Sequence, residues 1–513
     1  MVFSSLEFVF RFLPVFLVIY YIVPGRWKNL WLFMGSLGFY FYGVRDTPFY
    51  FVLLVLSILV NYQIGILIGR CRIRRFRKRW LVYGVIYNLF WLILFKYAGF
   101  LIQNLNLLLN MLKIPVKWPV IAPVLPVGIS FYTFQAISYL ADVYRKTVPC
   151  ERSLVGFGMY ITMFPQLIAG PIVTYSSVRR QIGRRRITFQ AIEDGLREFT
   201  IGLGFKVLLA NRIGGLWSDV RTIGYDSIST PLAWLGLAAF SLQIYFDFCG
   251  YSLMAKGLGS MMGFQFPDNF LHPYMSLSMT EFWRRWHMTL GSWFREYVYI
   301  PLGGNRRGPL LAFRNLLAVW FLTGFWHGAS WNFIIWGLLL FFILSVERLG
   351  LIRILERWRM AGHLYMAFMI PLTWLVFAVT DIRQIILYFQ RLFPVFARQQ
   401  QFFYFSGDYV KYARLYAVSL AAGLLFMTDI PIRIYARFKY SMITAAALLG
   451  ISGCAYIVCV WEWTIRFCIS DFRQGCENEK ILVQYFIDMQ YCCHDNSKSA
   501  AKQTQRPARC PGI

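Results

Sequence analysis

The sequence carries little charge for its length. Of its 513 residues, only 15% are Asp, Glu, Lys or Arg, whereas 58% are hydrophobic and 19% are aromatic. Acidic residues are the scarcest of the charged types, since 24 Asp and Glu stand against 52 Lys and Arg and leave a formal net charge of +28. A soluble domain with this composition would expose too much apolar surface, so the composition predicts a membrane protein.

Two other patterns are missing. The ten cysteines include no C-x-x-C pair, so the sequence predicts neither a disulfide framework nor a metal site. No internal repeat stands out along the chain, which removes the usual sequence support for a transporter built from inverted repeats.

Apolar segments of about twenty residues recur instead, and this is the length at which a helix crosses a bilayer. They predict an all-α polytopic membrane domain at residues 1–466, with about 10–12 spanning or re-entrant helices. The first segment contains Arg11 and has no basic region before it, so we expect a retained helix rather than a signal peptide. Residues 467–513 are polar and predict a disordered tail. The apolar segments lie at approximately 5–23, 27–44, 48–69, 80–101, 120–141, 152–173, 198–216, 231–262, 315–346, 364–380, 411–428 and 441–463.

The positive charge is concentrated in connecting segments, most densely at residues 70–79 and 179–186. Short basic loops of this kind face the cytoplasm and contact anionic lipid. A second interpretation is that some of these arginines attract an anionic acyl donor such as coenzyme A. Because the arginines flank spanning segments and are not interleaved with exposed aromatic residues, nucleic-acid binding is not expected.

One histidine, His327, lies inside residues 315–346, a stretch without any Asp, Glu, Lys or Arg. At about 1.5 Å per helical residue it lies about 20 Å from Arg314, which is membrane depth. An imidazole surrounded by hydrocarbon is costly, so His327 is a candidate functional residue.

A second constellation, EFWRRWHMTLGSWFRE, occupies residues 281–296. Read as one continuous helix, it places His287 on an apolar face with Trp283 and Trp286, and Arg284 and Arg285 on the opposite face. This pattern predicts a helix that lies in the membrane interface or dips from it. The arginines either bind phosphate groups or extend from an aromatic anchor toward the headgroups.

Two polar residues, Gln243 and Asp247, lie one helical turn apart in a strongly apolar segment. A carboxylate there must face protein or a wet cavity, because lipid would force it to take up a proton. It is interpreted as a polar clamp between helices or as a group that orients a histidine.

Together these segments resemble the membrane-bound O-acyltransferase (MBOAT) family, and within it the bacterial alginate O-acetyltransferase-like branch. The resemblance covers residues 125–347. It is carried by LPVGISFY (125–132), FPQLIAGP (164–171), QIYFDFCGY (243–251), the tryptophan-rich segment around His287 with YVYIPLGG (297–304), and GFWHGASWN (324–332).

The resemblance implies a ring of membrane helices around a tunnel, with His327 as the catalytic histidine and His287 as its assistant. It implies acetyl transfer from a cytoplasmic thioester, acetyl-CoA or another acyl thioester, to a hydroxyl of a cell-surface or exopolysaccharide. It also implies a multi-pass location in the cell (plasma/inner) membrane and a secreted or membrane-anchored acyltransferase partner. No bound cofactor and no metal is expected.

The residues themselves are compatible with this chemistry. Burial disfavours imidazolium, so His327 is expected to stay neutral near pH 7 and to accept a proton from an incoming hydroxyl. His287 would polarise the thioester carbonyl, carry the proton or orient the donor. Trp326 and Asn332 are candidate lining residues, although Asn332 is equally compatible with a hydrogen bond between helices.

Several alternatives stay open at this point. D-alanyl transfer toward teichoic acid is the nearest competitor, and acylation of lipid or protein is a third. Among other classes, a haem protein would use His287 and His327 as axial ligands. A transporter would use Asp247 and the histidines as a proton path.

Overall fold

The computed structural model describes residues 3–121, 123–168, 170–396, 405 and 407–473, and the regular structure within these ranges is entirely helical. The last part of the predicted tail, residues 474–513, lies outside the described residues. The α-helices are α1 Leu13–Ile22, α2 Lys28–Gly43, α3 Phe49–Arg70, α4 Arg74–Met111, α5 Ile129–Arg145, α6 Leu154–Thr162, α7 Phe164–Leu167, α8 Tyr175–Gly183, α9 Phe189–Gly204, α10 Asn211–Ile223, α11 Thr230–Met261, α12 Met279–Arg285, α13 Met288–Phe294, α14 Pro309–His327, α15 Trp331–Val346, α16 Ile352–Arg357, α17 Arg359–Ala378, α18 Ile382–Leu392, α19 Asp408–Phe426, α20 Ile430–Phe438 and α21 Met442–Arg473.

Shorter helical turns extend several of these helices. Turns of 3₁₀ type are Gly25–Trp27, Pro273–Met275 and Pro394–Phe396, and π-helical turns are Glu7–Phe12, Phe205–Ala210, Arg295–Tyr299 and Glu347–Leu351. The turn at Phe205–Ala210 joins α9 to α10, so that Phe189–Ile223 runs as one helical segment.

Seven helical segments within the described residues are long and apolar enough to cross a membrane, namely α3, α4, α9 with α10, α11, α14, α17 and the Met442–Trp461 part of α21. The pair α19 and α20 passes the same test together but is bent by 73°. Other predicted segments form shorter helices, since α2 and α15 have 16 residues and α5 has 17. The all-α polytopic class is confirmed.

The apolar stretch at residues 315–346 is not one span. Helix α14 ends at His327 because Gly328 is extended, with φ −167° and ψ 158°, and α15 begins at Trp331 after three intervening residues. The two helices then pack closely, since a Cβ added to Gly337 would lie 2.4 Å from the Trp320 carbonyl oxygen. Glycine therefore permits the antiparallel contact, and His327 lies at the turn of a helical hairpin.

The prediction of one continuous helix at residues 281–296 is wrong. The chain breaks at His287, which has φ 44° and ψ 52°, so that α12 ends before it and α13 begins after it. The predicted division of the surface still holds in part, because Trp286 and His287 are buried whereas Arg284 is exposed. The two short helices therefore turn at His287 and bury Trp286 and His287 in the protein core, and residues 279–294 are called the re-entrant segment below.

Two large apolar clusters form the core, and a smaller one lies between helices that carry the candidate histidines. Helices α9 and α11, which contribute to the two large clusters, pack with their backbones in close contact. A Cβ added to Gly202 would lie 2.5 Å from the Gly250 carbonyl oxygen. The small cluster contains Phe134 of α5, Trp293 of α13 and Trp326 of α14. These three side chains join the re-entrant segment to the hairpin.

Candidate active site

His327 occupies the last position of α14 and is surrounded by aromatic rings. The ring centroids of Trp326, Trp336 and Phe377 lie 5.0, 5.1 and 5.2 Å from its own. The residue as a whole is intermediate in exposure, whereas Trp326 and Trp336 are buried. The imidazole is thus enclosed by aromatic rings.

The end of α14 is held by two neighbouring residues of α4. Carbonyl groups in the last turn of a helix have no partner within the helix and must find one elsewhere in an apolar setting. The Tyr97 hydroxyl donates to the Phe325 carbonyl oxygen at 2.6 Å, and the Lys96 ammonium donates to the carbonyl oxygen of Trp326. The Tyr97 ring also stacks on Phe325 with centroids 4.0 Å apart. These contacts fix the turn that carries His327.

His287 approaches the same place from the re-entrant segment. Its side chain is only 4% exposed, and the edge of the Phe248 ring packs against it with centroids 4.7 Å apart. The Trp326 ring lies 6.4 Å from His287 and 5.0 Å from His327, centroid to centroid. The structure therefore brings the two predicted histidines to a shared indole.

The side chain of Asn269 determines which nitrogen of His287 carries the proton. The Thr289 amide, which can only donate, lies 3.3 Å from Asn269 Oδ1, while Asn269 Nδ2 donates to Ser252 Oγ at 3.1 Å. The oxygen therefore faces His287 Nδ1 at 3.0 Å, and Nδ1 must be the donor. His287 Nε2 then carries a lone pair, and it has no partner among the described residues.

Burial sets the protonation state of His287. The residue lies outside the membrane-spanning helices, in the short re-entrant segment, and desolvation lowers its pKa to about 3. The imidazole is consequently neutral at physiological pH. A neutral ring with a fixed Nδ1–H and a free Nε2 lone pair can accept a proton or a hydrogen bond, which is the ability required of a general base or a proton carrier.

The re-entrant segment is anchored at its start by a fully buried carboxylate. Glu347 accepts hydrogen bonds from the Met279 and Thr280 amides at 2.6 and 2.8 Å and from the Tyr365 hydroxyl at 3.1 Å. These amides belong to the first turn of α12, where unpaired donors and the helix dipole favour an anion. The contact ties α12 to the end of α15 and so positions His287.

Three further predicted residues lie in the aromatic wall. Trp283 packs edge-on against Trp336, with centroids 5.5 Å apart, and Trp286 lies 5.0 Å from Trp374. Asn332 donates to the carbonyl oxygens of Val376 and Phe377 at 3.1 and 3.2 Å. The hydrogen bond between helices considered for Asn332 is therefore present, and it holds the segment whose Phe377 ring contacts His327.

Two predicted residues, Gln243 and Asp247, contact neighbouring helices rather than the histidines. Gln243 packs against Gly214 of α10, and Asp247 forms an ion pair with Lys206 in the π-helical turn after α9. These contacts match the polar clamp between helices. His287 is instead oriented by an asparagine.

Among the described residues, neither arginine of the re-entrant segment forms a hydrogen bond with His287 or His327. Arg284 is exposed, whereas Arg285 pairs with Glu281 at 2.5 Å and borders a cavity of about 400 Å³ with His272 and Arg433. Whether either arginine binds a donor phosphate stays a prediction.

Sequence reasoning missed three residues that build the site. Lys96 had a usable signal, because it is a lone charge in the apolar segment 80–101. Glu347 had a weaker signal, because it is an acidic residue directly after the apolar segment 315–346. Asn269 had none, since its partners Ser252 and His287 are 17 and 18 residues away and meet it only after folding.

Comparison with known proteins agrees with this architecture of membrane helices. Residues 151–390 match the model of the MBOAT, membrane-bound O-acyltransferase family. The chain is 43% identical over 339 residues to "Probable alginate O-acetylase AlgI" of Azotobacter vinelandii, covering 66% of each chain, just under two thirds of that relative. It is 38% identical to a peptidoglycan O-acetyltransferase of Helicobacter pylori, covering 68% of this chain and 70% of the relative.

A more distant relative is the teichoic acid D-alanyltransferase of Streptococcus thermophilus, 28% identical over 41% of this chain and 54% of the relative. Fold and site thus define a multi-pass membrane protein of the acyltransferase class. The chain belongs to the membrane-bound O-acyltransferase family.

Proposed function

We propose that this protein transfers an acetyl group from a cytoplasmic thioester to a hydroxyl of a cell-surface or extracellular polysaccharide. The observation that carries the proposal is the meeting of His327 and His287 at the Trp326 ring, with His287 Nε2 buried and available. The names of the relatives, an alginate O-acetylase and a peptidoglycan O-acetyltransferase, support acetyl as the group and a polysaccharide as the acceptor.

In the proposed reaction His327 acts as the general base. The acceptor hydroxyl loses its proton to the imidazole as its oxygen attacks the thioester carbonyl carbon, and the carbonyl electron pair moves onto oxygen. The tetrahedral intermediate then collapses, the C–S bond breaks, and the departing thiolate takes the proton back from the imidazolium. An ester and a free thiol result, and both histidines regain their starting state.

The intermediate exposure of the residue His327 is compatible with its assignment as the base, because an incoming hydroxyl must reach this end of α14. The buried His287, held by Asn269 in the tautomer that leaves a lone pair on Nε2, suits a group that carries the proton rather than one that polarises the carbonyl. The aromatic wall formed by Trp283, Trp326 and Trp336 limits water around the thioester, which protects it from hydrolysis.

The donor in this proposal is acetyl-CoA or another acyl thioester, delivered from the cytoplasmic side of the plasma or inner membrane. Among the basic residues, Arg77 is buried and donates to the Val143 and Tyr144 carbonyl oxygens, and Arg185 bonds Tyr20 and Asn29. These two therefore serve the fold. The exposed arginines around them remain available to an anionic donor, and a secreted or membrane-anchored acyltransferase would complete delivery to the polysaccharide.

D-alanyl transfer toward teichoic acid is the second candidate, supported by the more distant relative. The two functions differ in the donor that they consume. Purified protein in vesicles, supplied with a polysaccharide that offers the acceptor hydroxyl, should release free thiol from acetyl-CoA if acetyl transfer is correct. Thiol release from a D-alanyl carrier thioester and none from acetyl-CoA would favour the alternative, whereas a transporter would consume neither.

The central test is His327→Ala, with His363→Ala as the matched control because His363 lies at the start of α17 outside the site. His327→Ala should abolish O-acetyl ester on the cell-surface glycan while the protein still accumulates in the membrane. His363→Ala should keep the ester. Normal ester content in the His327→Ala strain would refute the catalytic assignment.

A further inference from the structure

A lysine inside the spanning helix α4 contacts the residue that precedes the proposed base. Lys96 is the only charged residue between positions 80 and 111, and it follows Arg79, the last arginine of the basic segment, by 17 residues, about 26 Å along the helix. A cation inside a spanning helix is expensive and marks a functional site by default. Neither the fold nor the chemistry described above requires a charge at this position.

The contacts of Lys96 connect it to the candidate active site. Its ammonium donates to the carbonyl oxygen of Trp326, the residue before His327, and lies 5.4 Å from the Trp326 ring centroid. The centroid of the same Trp326 ring lies 5.0 Å from that of His327. Both Lys96 and His327 are partly exposed, while Tyr97 and Trp326 beside them are buried. The cation is thus held one peptide away from the proposed base.

We propose that Lys96 is a catalytic residue that stabilises the oxyanion of the tetrahedral intermediate. This inference rests on the proposed function. When the hydroxyl oxygen bonds to the thioester carbon, the carbonyl oxygen takes up a full negative charge that no histidine neutralises directly. A fixed ammonium in an apolar, water-poor site is an effective partner for such a charge. The negative charge leaves the oxygen when the C–S bond breaks and the carbonyl forms again.

The neighbouring tyrosine shows why the charge matters. Tyr97 caps the Phe325 carbonyl with a neutral hydroxyl, so the last turn of α14 can be satisfied without a cation. A helix C-terminus does favour positive charge, and this is the structural alternative for Lys96. The two explanations differ, because a cap needs a hydrogen-bond donor whereas an oxyanion needs a positive charge.

Four variants separate these explanations. Lys96→Gln keeps a donor without the charge, Lys96→Met removes both, Lys96→Arg keeps the charge, and Tyr97→Phe removes the neutral cap alone. With purified protein in vesicles, acetyl-CoA as the donor and a polysaccharide as the hydroxyl acceptor, kcat and KM are measured together with thermal unfolding. We expect Lys96→Gln and Lys96→Met to lower kcat by about 100- to 1,000-fold with little change in KM. Lys96→Arg should recover at least tenfold over Lys96→Gln, and Tyr97→Phe should lose only several-fold.

Three results would overturn the inference. They are a Lys96→Gln variant with kcat near wild type, a Lys96→Arg variant as inactive as Lys96→Gln, and losses in Tyr97→Phe equal to those in Lys96→Gln. Should Lys96→Met fail to accumulate, Lys96→Gln against Tyr97→Phe still decides the question. His327→Ala distinguishes the two levels. If His327→Ala is inactive while Lys96→Gln keeps its activity, only the proposed role of Lys96 is wrong. An active His327→Ala protein would refute the proposed function itself.

Discussion

Replacing Asn269 by leucine removes the group that fixes the tautomer of His287 while nearly preserving side-chain size. The asparagine oxygen accepts from His287 Nδ1, from the Thr289 amide and from the Thr289 hydroxyl at 3.0, 3.3 and 2.9 Å. Without it, the Nδ1–H tautomer loses its partner in a buried setting, which costs about 1–3 kcal/mol. If catalysis needs that tautomer, kcat should fall by about 5- to 160-fold.

The assay is thiol release from the thioester by purified protein, with thermal unfolding measured on the same preparations. Asn88→Leu is the matched control, because Asn88 is equally buried and bonds Asn61 and the Gly84 carbonyl in a region away from the histidines. A comparable loss of stability in both variants with a loss of kcat in Asn269→Leu alone would support the argument. Wild-type kcat in Asn269→Leu would refute it.

Asn269→Asp adds a readout that a purely structural role would not change. The carboxylate keeps the three acceptor contacts and raises the pKa of His287 from its depressed value of about 3, because a negative charge favours imidazolium. His287 is neutral above its pKa and charged below it. The activity of Asn269→Asp should therefore fall at a higher pH than that of the wild type as the solution is acidified, and an unchanged acid limb would contradict the proposed contact.

Two further predictions follow from the packing of the site. Gly337→Ala should destabilise the α14–α15 hairpin by about 1–3 kcal/mol and lower activity, because its Cβ would lie 2.4 Å from the Trp320 carbonyl oxygen. The control is Gly453→Ala, which has open space around the added Cβ and should change neither stability nor activity. Equal melting temperatures for the two variants would argue against the close packing. Acidification from pH 7 to 4.5 should lower the free energy of unfolding by up to about 1.4 kcal/mol per pH unit through His287. The reason is that His287 stays neutral in the folded protein but takes up a proton near its ordinary pKa in the unfolded chain. His287→Gln should flatten this pH dependence if the reasoning is correct.

Sequence reasoning reached the all-α membrane class and both histidines because these leave strong local signals. Hydropathy marks the apolar segments, and an imidazole among thirty uncharged neighbours is conspicuous. The breaks were not predictable in the same way. Gly328, Ala329 and Ser330 interrupt residues 315–346 without any change in polarity. The left-handed backbone of His287 likewise depends on contacts with Asn269, which the periodicity of residues 281–296 does not contain.

The same limit explains the outcome at Asp247. The apolar surroundings correctly indicated that the carboxylate needs a partner, but two partners were compatible with the sequence, a histidine and a residue of a packed helix. The choice depends on the π-helical turn Phe205–Ala210, which presents Lys206 to α11 from 41 residues away. A turn of this kind has no pattern in the sequence, so the partner was visible only in the folded chain.

His327, His287 and Asn332 share one structural property, which is that they lie at helix ends. His327 ends α14, His287 precedes α13, and Asn332 opens α15 while it caps the end of α17. Helix ends expose backbone donors and acceptors that a membrane interior does not tolerate unsatisfied. Lys96 donates to the last turn of α14, next to His327, and Glu347 accepts from the first turn of α12, in the segment that carries His287. The capping that allows helices to stop inside the protein is therefore also what places charged and titratable groups where continuous helices would present only hydrocarbon.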